Sequence, residues 1–148
     1  DAVDQMMAHV AGVGAEVGIA FAFDRVVVAN TRPAHELLQL AGEHGVGPAV
    51  NEALMQAHFA DGLDIGDQAV LGGIGQGAGI PGADVAEALA DHRFGPAVDA
   101  DIAEAARLGI HAVPFYVLGG RYGLSGAQPE EVFVEALETT WREAQAST

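Results

Sequence analysis

No cysteine and no lysine occur in this sequence, and each absence removes a class of chemistry. Without cysteine no disulfide can staple the fold, and no thiolate of this chain can attack a substrate or bind a metal. Without lysine, all side-chain positive charge apart from histidine rests on six arginines, against 21 Asp and Glu, for a formal net charge of −15. Such a surface repels a nucleic-acid backbone and an anionic membrane, so neither is expected as a partner. No apolar run is long enough to cross a bilayer. The histidines stand at 9, 35, 44, 58, 92 and 111, with no pair at i and i+4 on a helix, so metal-ligand spacing is absent and no metal is expected.

What is present suffices for one domain with a real core: 148 residues, half of them hydrophobic. The stretch from Gly109 to Pro129 reads as one supersecondary unit. Phe115 to Leu118 is an apolar, aromatic and β-branched run suited to a strand buried on both faces, and Gly119-Gly120 is a two-residue hairpin signal. A second strand, Arg121 to Ser125, is expected to pair with it. Pro129 then fits the first helical position, Glu130 and Glu131 favour the positive end of the helix dipole, and Phe133, Leu137 and Trp141 predict one apolar stripe. Val113-Pro114 stands where a loop enters a strand. Both a trans bond that starts a strand and a cis bond at a bend are compatible with it.

Towards the N-terminus, Val3, Met6, Met7, Val10, Val13 and Val17 follow helical spacing, with Gly18 placed to end the helix. Ile19, Phe21 and Phe23 alternate with alanines and predict a short strand. Thr31 is a candidate N-cap before Pro33, and Ala34, Leu37, Leu38 and Ala41 form the stripe of the next helix. Pro48 opens another, with Val50, Ala53, Leu54, Ala57 and His58 on one face. Asp67 is placed to cap a helix through Val70, Leu71 and Ile74. That helix is weakened by Gly72, Gly73, Gly75, Gly77 and Gly79, each interior Gly costing about 1 kcal/mol relative to Ala. Further helices are expected from Asp84 to Asp91 and from Phe94-Gly95-Pro96 to about Leu108.

Few side chains point to chemistry by themselves. Asp61, Asp64 and Asp67 lack the spacing and closing Glu of a calcium loop and read as a capped connector. The run Gly72-Gly73-Ile74-Gly75-Gln76-Gly77 lacks the Lys of a phosphate loop. Ser125 has no neighbouring His-Asp set in sequence. His58 reads as a core or boundary histidine. His35 either faces a cleft or serves capping and packing. Asn30 either orients a ligand, as a neutral donor and acceptor, or satisfies its own turn.

Taken jointly and in order, Asn30-Thr31-x-x-Ala34-His35, Asp64-Ile65-Gly66-Asp67, Val113-Pro114-Phe115 and Ser125-Gly126-Ala127-Gln128-Pro129 resemble the DsbA-like thioredoxin-fold family. The likeness is to its FrnE-type branch, whose relatives include 2-hydroxychromene-2-carboxylate isomerases and kappa-class glutathione transferases. The resemblance implies an α/β, thioredoxin-like fold with a helical insertion: residues 1–30 and 109–148 would form the thioredoxin-like part and 31–108 the insertion. It implies that Val113-Pro114 is cis, that Val113 and Pro114 present backbone to a thiol or disulfide substrate, and that Ser125, Gly126 and Asn30 lie near the same site. It also implies a catalytic Cys-x-x-Cys helix and a first strand, neither of which this chain contains, so the first strand-helix unit is expected to be missing from the chain. In the thioredoxin fold that strand lies between Ile19–Phe23 and Phe115–Leu118. It would therefore have to be supplied by a preceding segment or by another chain.

The activity implied is that of a cytoplasmic protein disulfide oxidoreductase acting on a protein or small-molecule thiol or disulfide, with no cofactor required and no catalytic residue in this chain. A glutathione-dependent isomerase or transferase, with glutathione supplying the thiol, and a redox-inactive binding module are the alternatives. A homodimer is compatible with either.

Overall fold

A computed structural model describes residues 1–146, and its contacts divide the chain after Ala100 into two compact units. Among the described residues there are seven α-helices, one π-helix and two strands.

The first unit is helical. Helix α1 (Ala2–Glu16) starts at a reciprocal cap: Asp1 Oδ1 accepts from the backbone N–H of Val3 and Asp4, while Asp4 reaches back to the terminal amino group at 2.6 Å. The helix ends where Gly18 takes φ +80°. Its apolar residues Val3, Met6, Val10 and Val13 are exposed.

Beyond Gly18 the expected strand from Ile19 to Phe23 does not form; the segment is irregular backbone. A strand exists only as part of a ladder, and among the described residues no neighbouring strand pairs with this one. Ala22 N–H instead donates to the Phe59 carbonyl at 2.8 Å. The alternation still places Phe21 and Phe23 together, with ring centroids 4.9 Å apart and both rings edge-on to Phe59.

Helix α2 (Arg32–Glu43) is central to the core. It packs against α3 (Gly47–Met55), α4 (Gln68–Gly77) and α5 (Gly82–Ala90). Leu37, Leu40, Val50, Leu71, Ile80 and Val85 are fully buried among them. The α2 cap differs from expectation. Thr31 makes no side-chain cap bond, and Asn30 Oδ1 accepts from Arg32 N–H at 3.1 Å in its place. Thr31 itself is already in the helical region at φ −80°, ψ −6°, a backbone unlike the extended one that N-caps favour.

The α3 helix runs on into a π-helix, Gln56–Ala60, which carries His58 and Phe59. Asp67 caps α4 through Ala69 and Val70 as predicted, and the helix continues past Ile74 to Gly77 in spite of its glycines. Packing explains this: a Cβ on Gly75 would lie 2.7 Å from Val85 Cγ2, so the glycine lets α4 and α5 approach.

Helix α6 (Gly95–Arg107) runs across the division. In the second unit β1 (Phe115–Leu118) and β2 (Tyr122–Ser125) pair antiparallel, from Phe115 opposite Ser125 to Leu118 opposite Tyr122. That register leaves three residues, Gly119 to Arg121, in the loop rather than two, with both glycines at positive φ. Consequently β2 starts at Tyr122 rather than Arg121. Expected burial on both faces of β1 is not found either, since Tyr116 and Val117 are exposed. The sheet has two strands, and α7 (Glu130–Ala146) covers it from one side only.

On α7 the stripe is also corrected. Phe133, Ala136, Thr140 and Glu143 are half-buried, whereas Leu137 and Trp141 are exposed. Steps of four residues advance 400° on a helix of 3.6 residues per turn, so Phe133, Leu137 and Trp141 drift round the helix and only the first stays on the hairpin. Phe133 meets Tyr116 edge-to-face at 4.9 Å.

Candidate functional site

In the second unit the hairpin positions four of the candidate residues. The Val113–Pro114 bond is cis. Gly126, at φ +83°, donates its N–H to the Pro114 carbonyl at 2.8 Å, and the Phe115–Ser125 pair closes the ladder beside it. Gln128 Nε2 donates to the Ser125 carbonyl at 2.7 Å, which fixes the turn into α7. Pro114, Ser125 and Gly126 therefore form one hydrogen-bonded corner. Val113 stands at its edge, 88% exposed, and among the described residues no hydrogen bond involves its backbone. An exposed, unpaired N–H and C=O at a strand entrance can pair with another extended chain.

At the other end of the hairpin Tyr122 donates its hydroxyl to Glu143 Oε1 at 2.6 Å, and Arg121 lies 3.4 Å from Glu143 Oε2. The hydrogen bond to Glu143 is the main cause that raises the Tyr122 phenol above its ordinary range, with burial and the Glu143 charge adding to it. Arg121 works in the opposite direction.

Asn30 belongs to the first unit, and its carboxamide oxygen caps α2. The helix it starts carries a polar network. Arg32 bonds Asp99 at 2.8 Å and the Gly95 carbonyl at 3.2 Å, and its Nε lies 3.7 Å from Glu36. The hydrogen bond to Asp99 is the leading cause that raises the Arg32 pKa and lowers that of Asp99. Glu36 is 1% exposed, and its Oε1 sits 3.2 Å from His92 Nδ1. Nothing in the sequence pattern singled out Glu36. An acidic residue beside an apolar stripe reads as surface, and only the fold shows it facing Arg32 and His92.

Between α2, α3 and the π-helix lies a cavity of about 200 Å³. Ala34, Leu38, Leu54, Phe59 and Ile65 give it apolar walls. Thr31, His35, Asn51 and His58 supply its polar groups. His35 and His58 thus share a cavity, a placement that the sequence left open for the first and did not suggest for the second. The aspartates of the following connector act as backbone caps: Asp64 Oδ1 accepts from Gly66 N–H at 2.8 Å, and Asp67 caps α4.

The sequence pattern of the DSBA-like thioredoxin domain matches residues 2–138. The chain belongs to that family. Its fold is accordingly the thioredoxin-like DsbA fold, here mostly helical with a small two-stranded sheet. Among solved structures, the DSBA-like chain is similar to that of a probable DsbA oxidoreductase from Streptomyces coelicolor, at 38% identity and a TM-score of 0.86. The alignment covers 92% of this chain and 59% of that one, so the DSBA-like chain spans rather more than half of its relative's length. No curated protein matches the sequence.

Membership places the chain in a thiol–disulfide oxidoreductase family, yet its 148 residues include no cysteine. What this DSBA-like chain does contain is the hairpin corner and a helical unit with its own cavity. Among the described residues no helix is long and apolar enough to cross a membrane.

Proposed function

We propose that this chain is the substrate-holding part of a cytoplasmic, FrnE-type thiol–disulfide oxidoreductase, in which Val113 and Pro114 present backbone to a disulfide- or thiol-bearing substrate. Residues 1–30 and 109–148 are its thioredoxin-like part and 31–108 its helical insertion. The observation that carries the reading is Val113: exposed, unpaired along its backbone and joined to a corner that Pro114, Ser125 and Gly126 hold together. Family membership supplies the reaction class. In it a cysteine thiolate attacks one sulfur of a substrate disulfide, a mixed disulfide forms, the other sulfur leaves as thiolate, and a second cysteine resolves the intermediate. Both cysteines have to come from outside these 148 residues, whether from more of the same polypeptide or from a second chain. Asn30, with its oxygen engaged at the α2 cap, has its Nδ2 amide as the group that would orient a ligand.

Two measurements test this. Insulin reduction by the chain alone should not exceed the protein-free rate, because there is no attacking thiolate; reduction above that rate would sink the mechanism. Titration with a disulfide-bearing peptide and, separately, with oxidised glutathione should move the amide resonances of Val113, Ser125 and Gly126. Movement with glutathione alone would favour the glutathione-dependent isomerase or transferase reading. Silence with both would leave the chain as a redox-inactive binding module and overturn the proposal.

A further inference from the structure

The cavity between α2, α3 and the π-helix is lined by first-unit residues alone, and its construction points to a ligand of its own. Its volume, about 200 Å³, exceeds the roughly 150 Å³ that admits a benzene ring in an engineered apolar cavity, so one six-membered ring with a substituent fits. Leu54 and Ile65 are core residues, which makes the interior wall apolar and rigid. No carboxylate lines it, in a chain with 21 acidic residues. One wall is a π-helix, a local form found often at functional sites.

His58 determines the polarity of the occupant. Its Nδ1 is shut off from solvent and has no hydrogen-bond partner, while the side chain as a whole lines the cavity. A neutral imidazole has one proton to place. At Nδ1 that proton would be a buried donor without an acceptor, a rarer and costlier arrangement than a bare lone pair. The proton therefore belongs on Nε2, and His58 offers an N–H donor from its open edge. We propose that this cavity binds a single-ring molecule carrying one uncharged hydrogen-bond acceptor, the ring held by Leu38, Leu54, Phe59 and Ile65 and the acceptor by His58 Nε2–H.

The test compares two probes of equal shape, 4-methylpyridine and toluene, on the full chain at a pH above the pKa of 4-methylpyridine. Both should shift the methyl resonances of Leu54 and Ile65, and only 4-methylpyridine should move the Nε2 resonance of His58. Replacing the donor, His58→Phe, should change the ratio of the two dissociation constants about tenfold against 4-methylpyridine, the worth of one hydrogen bond. Filling the cavity, Leu38→Trp, should abolish both titrations. The proposal is overturned if neither probe shifts the two methyl groups in the wild-type chain, if His58 Nε2 responds equally to both, or if His58→Phe leaves the ratio unchanged. Because the first two readouts need only the wild-type chain, a variant that fails to fold does not rescue the idea.

Discussion

The two units of this chain are built on opposite principles. Among the described residues, every buried hydrophobic residue lies between Ala34 and Val98, in the first unit. Among its described residues the second unit buries none: α7 has no buried position, and the hairpin is half-open on both strands. The first unit is held by side chains meeting side chains, with a polar network at one edge. The second is held by backbone hydrogen bonds, one aromatic pair and a tyrosine–carboxylate contact. A two-stranded hairpin with so little cover is marginal by itself. The contrast indicates that stability is concentrated in the helical unit, while the hairpin unit leaves most of its surface exposed.

The largest effect that would expose this contrast is Leu37→Ala. Leu37 is fully buried, and its truncation should lower unfolding free energy by about 3 kcal/mol, read from the urea midpoint. Trp141→Ala, which removes the largest side chain of the second unit, should change it by less than about 0.5 kcal/mol because Trp141 is 67% exposed. Equal losses from the two would break the comparison.

Intermediate changes sharpen it within the helical unit. Gly75→Ala gains about 1 kcal/mol of helix propensity but forces a methyl to 2.7 Å from Val85 Cγ2. Overpacking of that kind costs about 1–3 kcal/mol, so a net loss of about 1 kcal/mol is expected, with a matching fall in thermal midpoint. A stabilised Gly75→Ala would mean that α4 and α5 can part without penalty. Asp67→Ala, which leaves the N–H groups of Ala69 and Val70 without their cap, should cost about 1 kcal/mol in the same assay.

The smallest effects separate the units by pH. Asp99 has its pKa lowered, chiefly by the hydrogen bond to Arg32, so its contribution is present above its unfolded value of 3.8 and is lost as pH falls through the folded value. Tyr122 has its pKa raised, chiefly by the hydrogen bond to Glu143, so its contribution is present below 10.0 and is lost as pH rises through the folded value. Asp99→Asn should flatten the acid limb of stability against pH and leave the alkaline limb alone, and Tyr122→Phe should do the reverse. Both changes are small, since these groups are open to solvent. If either variant flattened both limbs, the two units would not be separate in this respect.

Legibility in the sequence followed the same division. Helices α2 to α6 could be read because their stripes, prolines and the Asp67 cap act within a few residues. The same reading failed where the partner is distant or the competing choice is a neighbour. Ile19–Phe23 has the alternation of a strand but no ladder to join. Thr31 was the expected cap, yet Asn30, one residue earlier, caps the helix through its own turn. The glycines of α4 read as weakness, yet one of them, Gly75, turned out to allow close packing, which depends on Val85. Equal spacing of Phe133, Leu137 and Trp141 suggested one face, although a helix of 3.6 residues per turn carries the last two away. Of the candidate site, Val113, Pro114, Ser125 and Gly126 were named through a resemblance in order and spacing, and the structure brings Pro114, Ser125 and Gly126 to one corner with Val113 at its edge. The cavity was not legible, because its walls come from three separate stretches of chain.

The π-helix has a further consequence for how this region tolerates change in length. Asp61 N–H donates to the Gln56 carbonyl at 3.0 Å, five positions back instead of four, so the segment accommodates one residue more than an α-helical path between the same ends. Removing a single residue from Gln56–Ala60 would let the winding revert to the α form with its flanks in register, whereas an equal deletion within α2 would rotate half of a buried stripe into water. The stretch that carries His58 and Phe59 is thus a reserve of slack in an otherwise tightly wound unit, and drawing it in would turn both rings to new headings while leaving the surrounding helices seated.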